Sequence, residues 1–346
     1  NCLGAVNIHD RVFASFGSIS RPPFQKPGPV SVVTQSGGFG NSLLMQAGLA
    51  GVGFRYIVAS GQESDVGVAE LIRAFADDEK TRVIFAYLEG LADGRAFMDS
   101  ARHALSAGKP VVVLKSGNTT EGLRAAASHS ASMTGAYDIY RAAFKQCGVI
   151  EARDMHEVAD YLLCLSAGRL PRGRNVSAMA GSGGVIVTFS DAADDFNLKL
   201  APFSAPSMAV LDKLLPPIAA RQNPVDYTIG FAGEKNLKPY EELIRLVVND
   251  PEIHQLAVFQ ISHVGAALTT RVRSIVKSVA GTDKPVMVLS CAPADMTAEA
   301  RAELAAANIP LLGSPRRIAA SMDMLASYAE AVDKRERLLS EQELAE

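Results

Sequence analysis

Two open, doubly wound α/β domains with parallel sheets are what this chain predicts, on three observations. Short apolar runs rich in Val and Ile alternate with helical patterns from Pro29 to about Leu165. The same grammar restarts after Arg169-Leu-Pro-Arg-Gly-Arg174, a Pro/Gly/Arg stretch that reads as a linker. Each half carries a Ser-Gly-Gly turn directly after an apolar strand, at Ser36-Gly37-Gly38 and Ser182-Gly183-Gly184. Alternating strands and helices argue for buried parallel sheets, and turns a whole domain apart argue against a solenoid. The expected architecture is two flavodoxin-like domains.

In the first half the expected strands are Val30–Thr34, Arg55–Ala59, Arg82–Leu88 and Pro110–Lys115. Helices are expected at Gly38–Ala50, Val66–Ala76, Gly94–Ser106 and Tyr137–Gln146, with Asp65 and Asp93 as N-caps and Gly108 and Gly148 as stops. In the second half, strands are expected at Val176–Ala180, Leu256–Ile261, Pro285–Ser290 and Pro310–Leu312. A helix ends near Asp194-Asp195, and others are expected near Pro239–Val248, Thr269–Val279, Ala294–Ala307 and Pro315–Ala329. The domains are expected at 29–170 and 171–332.

The 346 residues suffice for two ordinary domains. With 48% hydrophobic and 21% charged residues, the chain has the apolar content for packed cores. Its net charge of −3, with both signs interspersed, gives no basic field for nucleic acid. Cys2, Cys147, Cys164 and Cys291 form no close pair, which suggests reduced thiols in the cytoplasm. No apolar run approaches the roughly 20 residues of a membrane span, and no signal peptide is evident. The unstructured start at Asn1-Cys2-Leu3-Gly4 and the charged close after Lys334 read as cuts through something longer.

In doubly wound sheets ligands bind beyond the carboxyl ends of the strands. In the first half those ends hold Ser36-Gly37-Gly38, Ser60-Gly61-Gln62, Glu89-Gly90 and Ser116-Gly117. Glycines there let a ligand approach the backbone, and a helix opening at the turn points free N–H groups at an anion. For any single Ser-Gly pair the favoured reading is a turn that needs small residues; four on one edge shift the balance toward a site. His129, in Ala125-Ala-Ala-Ser-His129-Ser-Ala-Ser-Met-Thr-Gly135, has few bulky neighbours in sequence to shield its ring. Imidazole is commonly a neutral nucleophile near pH 7, and beside two anion cradles it suggests a phosphorylated histidine. A polar loop histidine is an equally good reading of His129 taken alone. Glu89 could hold one ring nitrogen and leave the other free to attack phosphorus, although alone it reads as an ordinary strand-end carboxylate. His9, His103, His156, His254 and His263 show no metal spacing. Asp191, Asp194 and Asp195 read as a solvated helix face, so no metal site is expected. Asn223-Pro-Val-Asp226 reads as a turn that could line a site or simply join elements. No dinucleotide or P-loop run is present.

These residues resemble a family, the NDP-forming acyl-CoA synthetases, whose α-type core occurs in succinyl-CoA synthetase and ADP-forming acetyl-CoA synthetase. Thr34-Gln-Ser-Gly-Gly-Phe-Gly40 resembles the family's Ser-Gln-Ser-Gly-Ala-Leu-Gly turn, and Tyr87-Leu-Glu-Gly90 matches its Tyr-Leu-Glu-Gly. Ser60-Gly-Gln-Glu-Ser-Asp65 resembles its Ser-x-Gly-Asn-Glu-Ala-Asp stretch. Ser128-His129 through Gly135, followed by Tyr140 and Ala143-Phe-Lys-Gln-Cys-Gly-Val149, resembles its phosphohistidine segment. Ser182-Gly-Gly184, Asn223-Pro-Val-Asp226 and Ile309-Pro with Ser314-Pro315 resemble its second flavodoxin-like domain. Departures are His129-Ser130-Ala131 for His-Thr-Gly, Gln62 for Asn, and Ala180-Gly181 for Thr-Asn.

The resemblance implies an acid-thiol ligase that joins a carboxylic acid and CoA with ATP, giving acyl-CoA, ADP and phosphate. It implies His129 as the phosphohistidine, Glu89 as the carboxylate that holds it, and the helices at Gly38 and Gly184 as the pair receiving its phosphoryl group. Ser60, Gly61, Gln62, Ser116 and Gly117 are expected to serve the acid or acyl phosphate. Residues 1–28 would then be the tail of a CoA-binding domain, and 333–346 a charged linker toward an ATP-grasp domain that binds ATP with Mg2+. Relatives often pair their chains, so a homo-oligomer is a further expectation. Two other readings stay open: a metabolite-sensing module of a protein acetyltransferase, and a ligase core coupled to a lyase step.

Overall fold

The computed structural model describes residues 2–17, 26–122, 124, 137–231 and 237–343. The chain falls into two compact units, Asn1–Ser166 with Glu330–Glu346, and Ala167–Ala329.

The first unit alternates β3 (Pro27–Thr34), α1 (Gly37–Ala50), β4 (Phe54–Ala59), α2 (Val68–Asp77), β5 (Val83–Leu88), α3 (Gly94–Ser106), β6 (Val111–Lys115), α4 (Tyr137–Cys147), β7 (Ile150–Ala152) and α5 (Met155–Ser166). Five parallel strands lie in the order β4-β3-β5-β6-β7. That is the flavodoxin-like order, with its switch point at β3. All side chains of β5 and β6 are buried, as a sheet covered on both faces requires. Val33, Ile72, Phe97, Val113 and Phe144 anchor a core between this sheet and its helices.

Residues expected to be only a tail instead extend this sheet. β1 (Gly4–Asn7) pairs antiparallel with β4, and β2 (Val12–Ser15) pairs with β1. Arg55, 5% exposed, ties the hairpin down by donating to Asn7 Oδ1 at 2.9 Å and to Asp10 at 3.3 Å. The strand character of β1 and β2 rests on pairing at the β4 edge, not on a local apolar run.

The second unit runs β8 (Val176–Ala180), α6 (Gly183–Asp195), α7 (Ala205–Leu214), β9 (Val225–Asp226), α8 (Lys238–Asn249), β10 (Gln255–Phe259), α9 (Gly265–Ser278), β11 (Val286–Leu289), α10 (Ala298–Ala306), β12 (Leu311–Leu312) and α11 (Pro315–Glu343). Its five strands, all parallel, lie in the order β12-β11-β10-β8-β9, again with the switch point at the first strand of the unit. Asp250, 1% exposed, ends α8 and accepts from Ser204 N at 3.0 Å and Ser204 Oγ at 2.8 Å, anchoring the start of α7.

Several boundaries differ from expectation, three of them with a clear physical reason. α2 is capped at Gly67, whose N–H donates to Glu70 Oε2 at 3.1 Å, while Asp65 stays exposed two residues outside. The helix expected from Ala294 is split into a 3₁₀ turn, Ala294–Met296, and α10. The stretch expected to be a linker from residue 333 continues α11 without a break to Glu343, because it holds good helix formers and no Gly or Pro. Among the described residues no helix is long and apolar enough to cross a membrane.

Candidate functional site

The carboxyl edge of the first sheet is knit together by the residues that follow its strands. Ser60 N donates to Thr34 O at 3.0 Å, Gln35 N to Tyr87 O at 3.2 Å, and Ser116 N to Leu88 O at 2.9 Å. The predicted Ser36, Ser60, Glu89 and Ser116 turns therefore lie along one rim, centred on the switch point. At its centre, Ser36 caps α1 by accepting from Phe39 N at 3.4 Å. The first N–H groups of α1 lack intrahelical acceptors, and the helix adds a partial positive charge there. A Cβ on Gly38 would meet nothing within 4 Å, so there is room beside Gly38, while Gly37 is buried. Gly40 serves packing instead: a Cβ there would stand 2.5 Å from Thr34 Oγ1.

Glu89 is half-buried, and its backbone is held by the residue that follows β3. Gln35, 7% exposed, accepts from Glu89 N at 2.5 Å and Gly90 N at 3.1 Å and donates to Gly90 O at 2.8 Å. Lys115 is 2% exposed and donates to Glu89 O at 2.9 Å. Burial lowers the Lys115 ammonium's pKa from its ordinary value, and the Glu89 carboxylate works against that fall. Ser60 Oγ donates to Glu63 Oε1 at 2.9 Å, and Gly61 and Gly117 both have left-handed backbones, at φ of 66° and 71°. Gln62 is exposed on the same rim. His129 lies outside the described residues.

In the second unit Ser182-Gly183-Gly184 opens α6 at the end of β8, and the Ser182 side chain makes no capping bond. Gly184 faces open space, whereas a Cβ on Gly183 would come within 3.0 Å of Asp226 Oδ2. Asp226 belongs to β9 and accepts from Thr228 N at 3.0 Å, so the Asn223–Asp226 turn does border the glycine cradle. Beside it, a cavity of about 40 Å³ is lined in part by Gly181, Tyr227, Phe259, His263 and Arg271. Arg271 is 6% exposed and stacks at 5.0 Å on the ring of Tyr240, which accepts from Gln260 Nε2 at 2.7 Å. Burial pushes the Tyr240 phenol well above its ordinary pKa. An isolated arginine in a helical pattern gave no sequence signal for this pocket.

Among the described residues no group of three or more His, Cys, Asp or Glu side chains could hold a metal ion. Asp191, Asp194 and Asp195 are exposed on α6, and Asp195 pairs with Arg316 at 2.5 Å. His103 Nε2 lies 2.6 Å from Asp77, and His9 Nε2 lies 3.0 Å from Gly28 O.

Comparison with known proteins gives these features a family. Residues 27–165 match the Succinyl-CoA ligase like flavodoxin domain, and residues 176–311 match the Ligase-CoA domain. The chain is 37% identical, over 75% of its length, to the acetate–CoA ligase [ADP-forming] I subunit alpha of Pyrococcus furiosus, and spans 54% of that relative. It is 32% identical, over 96% of its length, to the II subunit alpha of the same organism, of which it spans 71%. A dinucleotide forming acetyl-coenzyme A synthetase 1 of Ca. Korarchaeum cryptofilum, solved with phosphate and ADP, superposes with a TM-score of 0.86 at 30% identity. That match covers 98% of this chain and 72% of the solved one. The two halves, in this order along the chain, thus agree with one assignment: the chain belongs to the NDP-forming acyl-CoA synthetase family.

Proposed function

We propose that the protein carrying this chain makes acyl-CoA, ADP and phosphate from a carboxylic acid, CoA and ATP, with His129 as phosphoryl carrier. One ring nitrogen of His129 takes the γ-phosphoryl group: a P–N bond forms and the bond to ADP breaks. A carboxylate oxygen of the acid then attacks phosphorus: a P–O bond forms, the P–N bond breaks, and an acyl phosphate and free His129 result. The CoA thiol then attacks the acyl carbon, phosphate leaves, and the thiol proton goes to solvent or base. Glu89 holds the other ring nitrogen and stabilises the positive ring of phosphohistidine. Ser36, Gly37 and Gly38 form one phosphate cradle, and Ser182, Gly183 and Gly184 the other. Ser60, Gly61, Gln62, Ser116 and Gly117 take the acid or acyl phosphate, with glycines letting it approach the backbone.

The observation that carries this reading is the Glu89–Gly90 turn, clamped by Gln35 beside the N-terminus of α1. A partly buried carboxylate and an anion cradle share one rim, as phosphoryl transfer through an imidazole needs. CoA-binding and ATP-grasp domains, fused or as a partner subunit, would supply the CoA and nucleotide sites, and Mg2+ would arrive with the nucleotide. A cytoplasmic setting fits four cysteines of which Cys147 and Cys164 are buried thiols. Incubating the whole protein with γ-labelled ATP should give acid-labile, base-stable label that His129→Ala abolishes. Equal labelling of wild type and variant would sink the proposal.

A further inference from the structure

Lys115 is the last residue of β6, and its side chain runs to the carboxyl rim without reaching solvent. A lysine only 2% exposed is exceptional unless its ammonium is fully engaged. Nζ has three N–H bonds to place. One goes to Glu89 O at 2.9 Å and another to Ser116 O. The ammonium also lies 4.9 Å from the centroid of the Tyr140 ring, within cation–π range. Among the described residues, two carbonyls and a ring face engage the ammonium. It is built to hold protein groups in place.

The identity of those groups gives this arrangement its meaning. Glu89 is the carboxylate assigned to His129. Ser116 begins the stretch that leads to His129, and Tyr140 lies in the first turn of α4, where the described chain resumes beyond it. One ammonium therefore joins the carboxylate's strand end to the chain on both sides of the histidine segment. A buried cation also has the Glu89 carboxylate as a nearby opposite charge, which favours the charged ammonium despite its burial. Methionine would fill the same space and make none of these contacts.

Resting on the phosphohistidine reading, we propose that Lys115 is a positioning residue for phosphoryl transfer, holding the Glu89 strand end against Ser116 and the first turn of α4. The test uses the whole enzyme and measures single-turnover labelling from γ-labelled ATP, KM for ATP and thermal unfolding. Lys115→Met is expected to slow labelling roughly 10²-fold, the scale of a misplacement of about 1 Å, with KM changed by less than about twofold. Because Lys115 acts through Glu89, Lys115→Met combined with Glu89→Gln should be no slower than Glu89→Gln alone. Losses that multiply, or wild-type labelling by Lys115→Met, would overturn the inference. Should Lys115→Met fail to unfold cooperatively, Tyr140→Leu carries the test, since it strips the ring and leaves both carbonyl contacts. It is then expected to slow labelling and to show the same lack of additivity with Glu89→Gln; a wild-type rate or multiplying losses would overturn the inference. Failure of the underlying reading is visible separately, as label that persists in His129→Ala.

Discussion

Replacing Gln35 by leucine should loosen the turn that presents Glu89, at a cost the structure allows us to work out. The substitution removes three hydrogen bonds: from Glu89 N at 2.5 Å, from Gly90 N at 3.1 Å, and to Gly90 O at 2.8 Å. Gly90 is buried, so its N–H and C=O are left without water, at about 1.5 kcal/mol each within the usual range for unsatisfied groups. Glu89 is half-buried and its N–H can rehydrate, so only the net bond of about 1 kcal/mol is lost. Leucine returns roughly 1 kcal/mol of apolar burial. The sum is a destabilisation of about 3 kcal/mol. Urea unfolding of wild type and variant at equal slope gives this number as a shift in midpoint, about 1 to 1.5 M for a slope of 2 to 3 kcal/mol/M. Gln35→Glu retains the acceptor for both N–H groups but sets a buried carboxylate oxygen against Gly90 O, so it too should destabilise. A loss below about 0.5 kcal/mol for Gln35→Leu would refute the claim that this side chain holds the turn.

Gly40→Ala should destabilise by about 1 to 2 kcal/mol in the same assay. The new methyl would press on Thr34 Oγ1 at 2.5 Å and Cγ2 at 2.8 Å, a typical overpacking penalty offset in part by alanine's helix propensity. Gly38→Ala, facing open space, should not destabilise at all. Asp250→Asn should destabilise by about 2 kcal/mol, because the carboxylate accepts two bonds from Ser204 and one from Glu252 N at 2.9 Å. Burial raises the Asp250 pKa, yet the Ser207 and Ser204 hydroxyls and two backbone N–H groups outweigh it and hold the carboxyl below its ordinary value. A depressed carboxyl stabilises above its unfolded pKa of about 3.9 and loses that contribution as pH falls through the folded value. The difference between wild type and Asp250→Asn should therefore be full near neutrality and shrink below about pH 4, as measured by unfolding at stepped pH.

Much of the site was legible because strand-to-helix turns in doubly wound sheets need small residues at fixed places. Ser36-Gly37-Gly38, Ser60-Gly61, Glu89-Gly90 and Ser116-Gly117 could be read as one rim once their strands were recognised, and the hydrogen bonds between strand ends put them there. Gln35 and Lys115 were not legible as site residues. Gln35 lies just beyond β3 and Lys115 ends β6, and the value of each depends on which backbone atoms a neighbouring strand brings within reach. Arg271 was hidden for the same reason, since its partner Tyr240 lies on another helix.

The class of fold and most strands and helices could be read from the sequence, because apolar period and turn chemistry are local properties of the chain. The sequence also determined the family, through ordered motifs whose glycines and hydroxyls are constrained by close approach. The order of the strands, the hairpin of β1 and β2 on the β4 edge, and the helical run to Glu343 were decided by the tertiary structure. So was the partnership of Gln35 and Lys115 with Glu89. These depend on pairing and burial between residues far apart in the chain, where a side chain's role follows from what it is packed against.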